Sequence, residues 1–160
     1  MPVDIPGPAS SVSVQHEPFD VGAEIAAIAA GRPAIGAVAS FVGLVRELPG
    51  CPGGLSAMTL EHYPGMTDKA LEDIVGQARG RWQLQDVRVI HRVGRLAPGD
   101  AIVLVVVAAA HRGEAFAACE FIMDYLKTRA PFWKKEETRD GGHWVDARDA
   151  DDAAAARWDV

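Results

Sequence analysis

The stretch "AIVLVVVAAA", Ala101–Ala110, constrains the fold of this chain more than any other. It holds no charge, glycine or proline, and five of its residues are β-branched. A bilayer span needs about 20 apolar residues, so this run is too short to cross a membrane. Its β-branched content and the turn "LAPGD" before it make it a strand buried on both faces. A chain of 160 residues with 49% apolar and 24% charged residues supplies one soluble domain around such a strand.

The rest of the chain arranges itself about that strand. "SVSVQHEPFD" alternates as an opening strand, and "VGAEIAAIAAG" reads as a short helix closed by glycine. "AIGAVASFVGLVRE", Ala34–Glu47, is a strand whose Gly36 and Gly43 point to a bulge or a close backbone approach. "LPGCPGGLS", Leu48–Ser56, is a glycine- and proline-dense loop, and "AMTLEHY" is the next strand. Thr67 is expected to N-cap a helix that carries Ala70, Leu71, Ile74, Val75 and Ala78 on one face and ends near Gly80. "DVRVIHRVG" alternates as a strand. A second long helix is expected from Glu114 to Arg129, stopped by Pro131, which biases Ala130 away from helical angles. "FWKKEET" and "HWVDA" then form a hairpin turning at Arg139–Gly142. Helices against mostly antiparallel strands make an α+β class. Residues 1–11 are expected to be a flexible start, 12–148 a single domain and 149–160 a tail.

Charge and cysteine usage remove several functions. With 16 Lys+Arg against 22 Asp+Glu the net charge is -6, which argues against nucleic-acid binding. Cys51 and Cys119 form no CxxC, and the histidines have no HxH or HxxxH spacing, so neither a zinc knuckle nor another metal site is expected. The first residues carry no basic-then-apolar leader, which favours a cytoplasmic protein.

The chemistry-bearing residues cluster against this acidic background. Phe116, Glu120, Met123 and Lys127 fall at i, i+4, i+7 and i+11 on one helix face. The plainer account makes Lys127 a helix-end cation paired with Asp124. After Pro131, Phe132, Lys134 and Glu136 share one side of an extended segment, and Trp133, Lys135 and Glu137 the other. Lysines can simply protect a strand edge, but that explains the charges better than the aromatics. "AAAHRGEAF" places His111 and Arg112 where a strand hands over to a helix N-terminus, a natural anion site. Arg46 closes an earlier strand. Together Arg46, His111, Arg112, Lys127 and Lys134 describe an anion-handling site if the fold brings them together.

The segments "TLEHYPGMTDKAL", "VIHRVGRLAPGD", "AAHRGEAF" and "FIMDYLKTRAPFWKKE" closely resemble the family of molybdopterin synthase catalytic (large) subunits. The similarity runs from about the first strand to "WVDAR". It implies an α/β hammerhead-type fold with an additional antiparallel β subdomain. It also implies a sulfurtransferase of molybdenum cofactor biosynthesis that converts cyclic pyranopterin monophosphate into molybdopterin. Two sulfurs would come from the C-terminal Gly-Gly thiocarboxylate of a small ubiquitin-like subunit. The assembly implied is a homodimer within a heterotetramer, with each site drawing on both large subunits, and with no metal, cofactor, nucleic acid or membrane. By the same resemblance Lys127 and Lys134 are catalytic, while Arg46, His111, Arg112, Lys135, Glu136 and Arg148 bind substrate. Phe41, Met123 and Phe132 line the pocket. Leu44 stands where relatives can carry a polar or basic residue. Two other readings use the same residues: a non-catalytic module that binds a ubiquitin-like tail, and a phosphate-ester enzyme built on the His111–Arg112 junction.

Overall fold

In a computed structural model, the structure describes residues 11–47, 55–138, 141–145 and 149–159. The expected flexible start up to residue 10, most of the Leu48–Ser56 loop with Cys51, and Arg148 lie outside the described residues. The elements run β1 (Val12–Gln15), α1 (Val21–Ala29), β2 (Ala37–Leu44), β3 (Leu55–His62), α2 (Met66–Arg81) and β4 (Leu84–Arg92). β5 (Gly94–Leu96), β6 (Ala101–Ala109), α3 (Arg112–Arg129), β7 (Phe132–Thr138), β8 (Gly141–Val145) and α4 (Asp149–Ala156) follow.

Two four-stranded sheets form, ordered β1-β4-β6-β2 and β5-β3-β7-β8. β6 lies inside the first, antiparallel to both β4 and β2. Its side chains divide as a doubly buried strand requires. Val103, Val105 and Val107 pack with Val87, Val89 and residues of α2 and α3, while Leu104, Val106 and Ala108 pack with Ile90 and Ile28 of α1. The strand is the wall between two apolar cores, and Val103–Ala109 are each at most 1% exposed. A third core, of Val45, Met58, Leu60, Val93 and Leu96, lies beneath the second sheet. This is the expected α+β architecture, with the second sheet as the additional antiparallel subdomain. Among the described residues, the one parallel pairing is β1 with β4.

Several local expectations change. Thr67 does not cap α2. The helix starts at Met66 behind Gly65, whose φ of 84° a glycine adopts without strain. Gly65 N–H donates to Asp68 Oδ2 at 2.9 Å. Thr67 is fully buried, and its hydroxyl accepts from Tyr63 N–H at 3.0 Å and donates to the Pro131 carbonyl at 2.9 Å. The residue was chosen by the tertiary structure rather than by the helix end. The strand read as Asp86–Gly94 begins at Leu84 and ends at Arg92, and Gly94 (φ 91°) opens a separate strand, β5. The stop at Pro131 holds: α3 ends at Arg129 and Ala130 is extended, at φ −87° and ψ 130°.

Gly36 and Gly43 make the close approaches expected of them. A Cβ on Gly36 would lie 2.2 Å from the Ala110 carbonyl oxygen, and one on Gly43 would lie 2.6 Å from Val103 Cγ1. The pairing of β2 with β6 shifts register between Gly43 and Leu44.

Candidate active site

The helix face predicted from spacing lines a groove of about 480 Å³. Phe116, Glu120, Met123 and Lys127 of α3 form one wall, and Ala39, Ser40 and Phe41 of β2 form the other. β2 is an edge strand of its sheet, which leaves this side of the molecule open. Phe41 is 42% exposed and Phe116 66%, so the groove has an apolar floor and rim. The structure thus brings Phe41, Met123 and Lys127 together.

Asp124 is engaged by the C-terminal segment. Its Oδ2 accepts from Arg157 Nη2 at 2.7 Å and from Trp158 Nε1 at 2.7 Å. Arg157 Nη2 also lies 2.5 Å from Glu120 Oε1. The C-terminal segment is therefore folded against α3, where sequence patterning gave it no partner.

The second lysine is set by β7. Lys134 Nζ lies 3.7 Å from Glu136 Oε1, and Glu136 is only 5% exposed. Phe132, on the same side of the strand, stacks on His91, with ring centroids 4.0 Å apart and planes at 22°. Lys135 lies on the alternate side with Trp133 and Glu137, away from Lys134 and Glu136.

His91 is a residue that sequence reasoning passed over. It shares a strand face with Val87 and Val89, and that alternation was the available signal. Its Nδ1 lies 2.8 Å from the Arg92 carbonyl. Burial pushes the imidazole down to about 4, and the charges of Lys127 and His62 push the same way. The ring is therefore neutral at physiological pH. Cys119, in the groove wall, is also 7% exposed; burial, with Glu120 adding to it, pushes its thiol up to about 11. Such a thiol is a poor nucleophile.

His111 and Arg112 stand elsewhere. His111 is the N-cap of α3 and Arg112 its first residue, both exposed. Lys127 lies 15 residues further along the same helix, about 22 Å at 1.5 Å per residue. Arg46, just beyond β2, lies at the other end of the sheet from Ala37, which pairs with Ala109 next to His111. One protomer therefore splits the expected site, with Arg46, Lys127 and Lys134 away from His111 and Arg112. Among the described residues, no cluster of His, Cys, Asp or Glu could hold a metal ion. No helix among them is long and apolar enough to cross a membrane.

Known proteins resemble this chain over most of its length. Residues 14–129 match the family model described as MoaE protein. A molybdopterin synthase catalytic subunit from Ralstonia nicotianae is 64% identical over 94% of this chain and 85% of its own length. One from Escherichia coli K12 is 54% identical over 93% of this chain and 98% of its own. Among solved structures, a molybdopterin biosynthesis MoaE protein from Burkholderia ambifaria superposes with a TM-score of 0.81 at 58% identity, covering 95% of this chain and 99% of that one. Molybdopterin synthase from Staphylococcus aureus superposes at 0.78 with 28% identity, covering 86% and 98%.

Proposed function

The chain belongs to the MoaE protein family, and on that premise we propose that it is the catalytic subunit of a molybdopterin synthase. It moves two sulfurs, one at a time, from the C-terminal thiocarboxylate of a small ubiquitin-like subunit onto cyclic pyranopterin monophosphate. The observation that carries this reading is the groove itself. It is apolar along Phe41 and Met123, and has Lys127 in its wall. An extended tail ending in an anion fits such a groove, because apolar contact seats the chain and the ammonium meets the thiocarboxylate.

Each transfer needs the sulfur to form a bond to a substrate carbon while an oxygen leaves. Hydrolysis of the resulting thioester then returns the tail as a carboxylate and leaves sulfur on the substrate. Lys127 stabilises the oxyanion formed along this path and passes protons. Lys134, held by Glu136, supplies a second cation or acid as the cyclic phosphate opens. Arg46 binds the phosphate. Cys119 carries no sulfur, being held protonated.

His111 and Arg112 join this site from a second copy of the chain. The length of α3 supports that reading, because it keeps them about 22 Å from Lys127 of their own protomer. The open β2 edge and the exposed Phe41, Leu44 and Phe116 give a second copy an apolar surface nearby. Lys135 and Arg148 are placed with the substrate by resemblance alone.

The test is reconstitution with the small subunit in its thiocarboxylate form and the cyclic precursor, measuring dithiolene product. Lys127→Ala should lose at least about a hundredfold in turnover, the usual scale for a positioned acid/base or charge-stabilising group. Lys134→Ala should fall by less. Turnover of Lys127→Ala near that of the unsubstituted protein would remove Lys127 from the reaction.

A further inference from the structure

The two lysines of the proposed site belong to different layers. Lys127 lies in the last turn of α3, which packs on the first sheet, whereas Lys134 lies on β7 inside the second. Their relative position depends on what holds the junction between them, residues 128–133. α3 stops at Arg129, Ala130 is extended, and Pro131 has no N–H to give. Phe132 N–H donates to the Ala130 carbonyl at 3.0 Å, a bond within the junction itself. Two anchors come from elsewhere in the chain. The Thr67 hydroxyl donates to the Pro131 carbonyl at 2.9 Å. The His91 ring stacks on Phe132, with centroids 4.0 Å apart and planes at 22°.

His91 is a rigid support for that stack. It is buried near the end of β4, a strand held between β1 and β6. Its Nδ1 lies 2.8 Å from the Arg92 carbonyl. A carbonyl only accepts, so Nδ1 carries the proton, and the bond fixes the tautomer and the ring. Phe132 packs against both the main core and the core beneath the second sheet. The ring pair therefore ties the two sheets together where their cores meet. Phe132 and Lys134 are two residues apart on one face of β7, so a shift of the ring carries to the lysine. Glu136 restrains the ammonium of Lys134 from the same face. The backbone beneath that ammonium needs a hold of its own.

We propose that His91 is a positioning residue: by stacking on Phe132 it pins the start of β7 to the first sheet and so sets where Lys134 stands relative to α3. The inference rests on the function proposed above, in which Lys127 and Lys134 serve one substrate. At 4% exposure His91 is too buried to meet that substrate, and it acts through Phe132. Near-parallel contact between two flat rings is what an aliphatic or amide side chain does not reproduce. Displacing a reacting group by about 1 Å can lower turnover about a hundredfold. β7 is also held by β3 and β8, so the loss on removing the stack should be smaller than that.

The experiment reconstitutes the full chain with the thiocarboxylate small subunit and the cyclic precursor, and measures kcat and KM. His91→Phe keeps a ring and gives up the hydrogen bond to Arg92. His91→Asn keeps an N–H near the place of Nδ1 and gives up the ring. The Asn variant should lower kcat by roughly fivefold to tenfold with KM within about twofold, and the Phe variant should stay within about twofold in both. Added to Lys134→Ala, His91→Asn should lower kcat by less than about twofold, because the residue it positions is gone. Equal losses in the Phe and Asn variants overturn the assignment, as does an Asn loss undiminished in the Lys134→Ala chain. So does an Asn variant with unchanged kcat. Amide hydrogen exchange at residues 132–134 reads the pin without turnover: it should quicken by about tenfold in the Asn variant and hold in the Phe variant. An unsubstituted chain that forms no product sinks the functional reading itself, whereas exchange that is equally slow in both variants sinks the pin.

Discussion

Arg112 opens α3 and Lys127 lies in its last turn, about 22 Å away, so one copy of the chain cannot bring both to one ligand. If each site takes Lys127 from one protomer and Arg112 from the other, two inactive variants should complement each other. A mixed dimer of Lys127→Ala and Arg112→Ala protomers contains one site with both substitutions and one with neither. Unfolding and refolding an equal mixture gives half mixed dimers, each with half its sites intact. About a quarter of wild-type turnover should return, against almost none from either variant alone. An inactive mixture, with mixed dimers confirmed by mass, would place Arg112 outside the site of Lys127.

His91 should make stability depend on acid. Its folded value is depressed to about 4 from an ordinary 6.5 by burial, so the unfolded chain binds this proton first as pH falls. The stability it contributes is present above pH 6.5 and is lost as pH falls from 6.5 towards 4. The span corresponds to on the order of 3 kcal/mol. Urea unfolding at pH 7 and pH 4.5 should show the loss, and His91→Leu should flatten it. An identical slope in the Leu variant would assign the acid sensitivity to other groups.

Cys119 should be inert in the native protein. A thiol pushed up to about 11 by burial is ionised in roughly one molecule in a thousand at pH 8. Iodoacetamide at that pH should leave the Cys119 peptide unlabelled for hours, and should label it within minutes once the protein is unfolded in urea. Peptide mapping separates this signal from Cys51. Fast native labelling of Cys119 would reopen the question of whether it handles sulfur.

Thr67 should be costly to replace despite its distance from the groove. Thr67→Val keeps the shape but leaves the Tyr63 N–H and the Pro131 carbonyl without their shared hydroxyl. The loss should be about 2 kcal/mol in urea unfolding, the scale for buried polar groups left unpaired. Because Pro131 precedes Phe132, the variant should also slow turnover modestly by loosening β7. A stability change below about 0.5 kcal/mol would show that water replaces the hydroxyl.

What could be read from sequence followed the range of the forces involved. β6 and α3 were legible because periodicity and the Pro131 stop act within a few residues. The groove face was legible for the same reason, since Phe116, Glu120, Met123 and Lys127 recur at helical spacing. Thr67 was misread because the carbonyl that claims its hydroxyl lies 64 residues away. β5 was missed because three residues are too short to show alternation. The bridge from Arg157 to Glu120 and Asp124 was invisible because its two halves, α3 and the turn after α4, lie more than 30 residues apart in the chain. The separation of His111 and Arg112 from Lys127, by contrast, followed from helix rise alone once the helix bounds were known.

The central place of β6 also has a consequence in time. Ala37 of β2 pairs with Ala109, 72 residues later in the chain (37 to 109), and Val12 of β1 pairs with Val89. At a synthesis rate of about 5–20 residues per second, β2 leaves the ribosome roughly 4–14 s before its partner exists. During that interval an apolar strand waits with both edges unsatisfied. The stretch "AIVLVVVAAA" is thus the clock of the nascent chain as well as the wall of its core. Slowing translation just before Ala101 would lengthen the period in which the first sheet depends on chaperones.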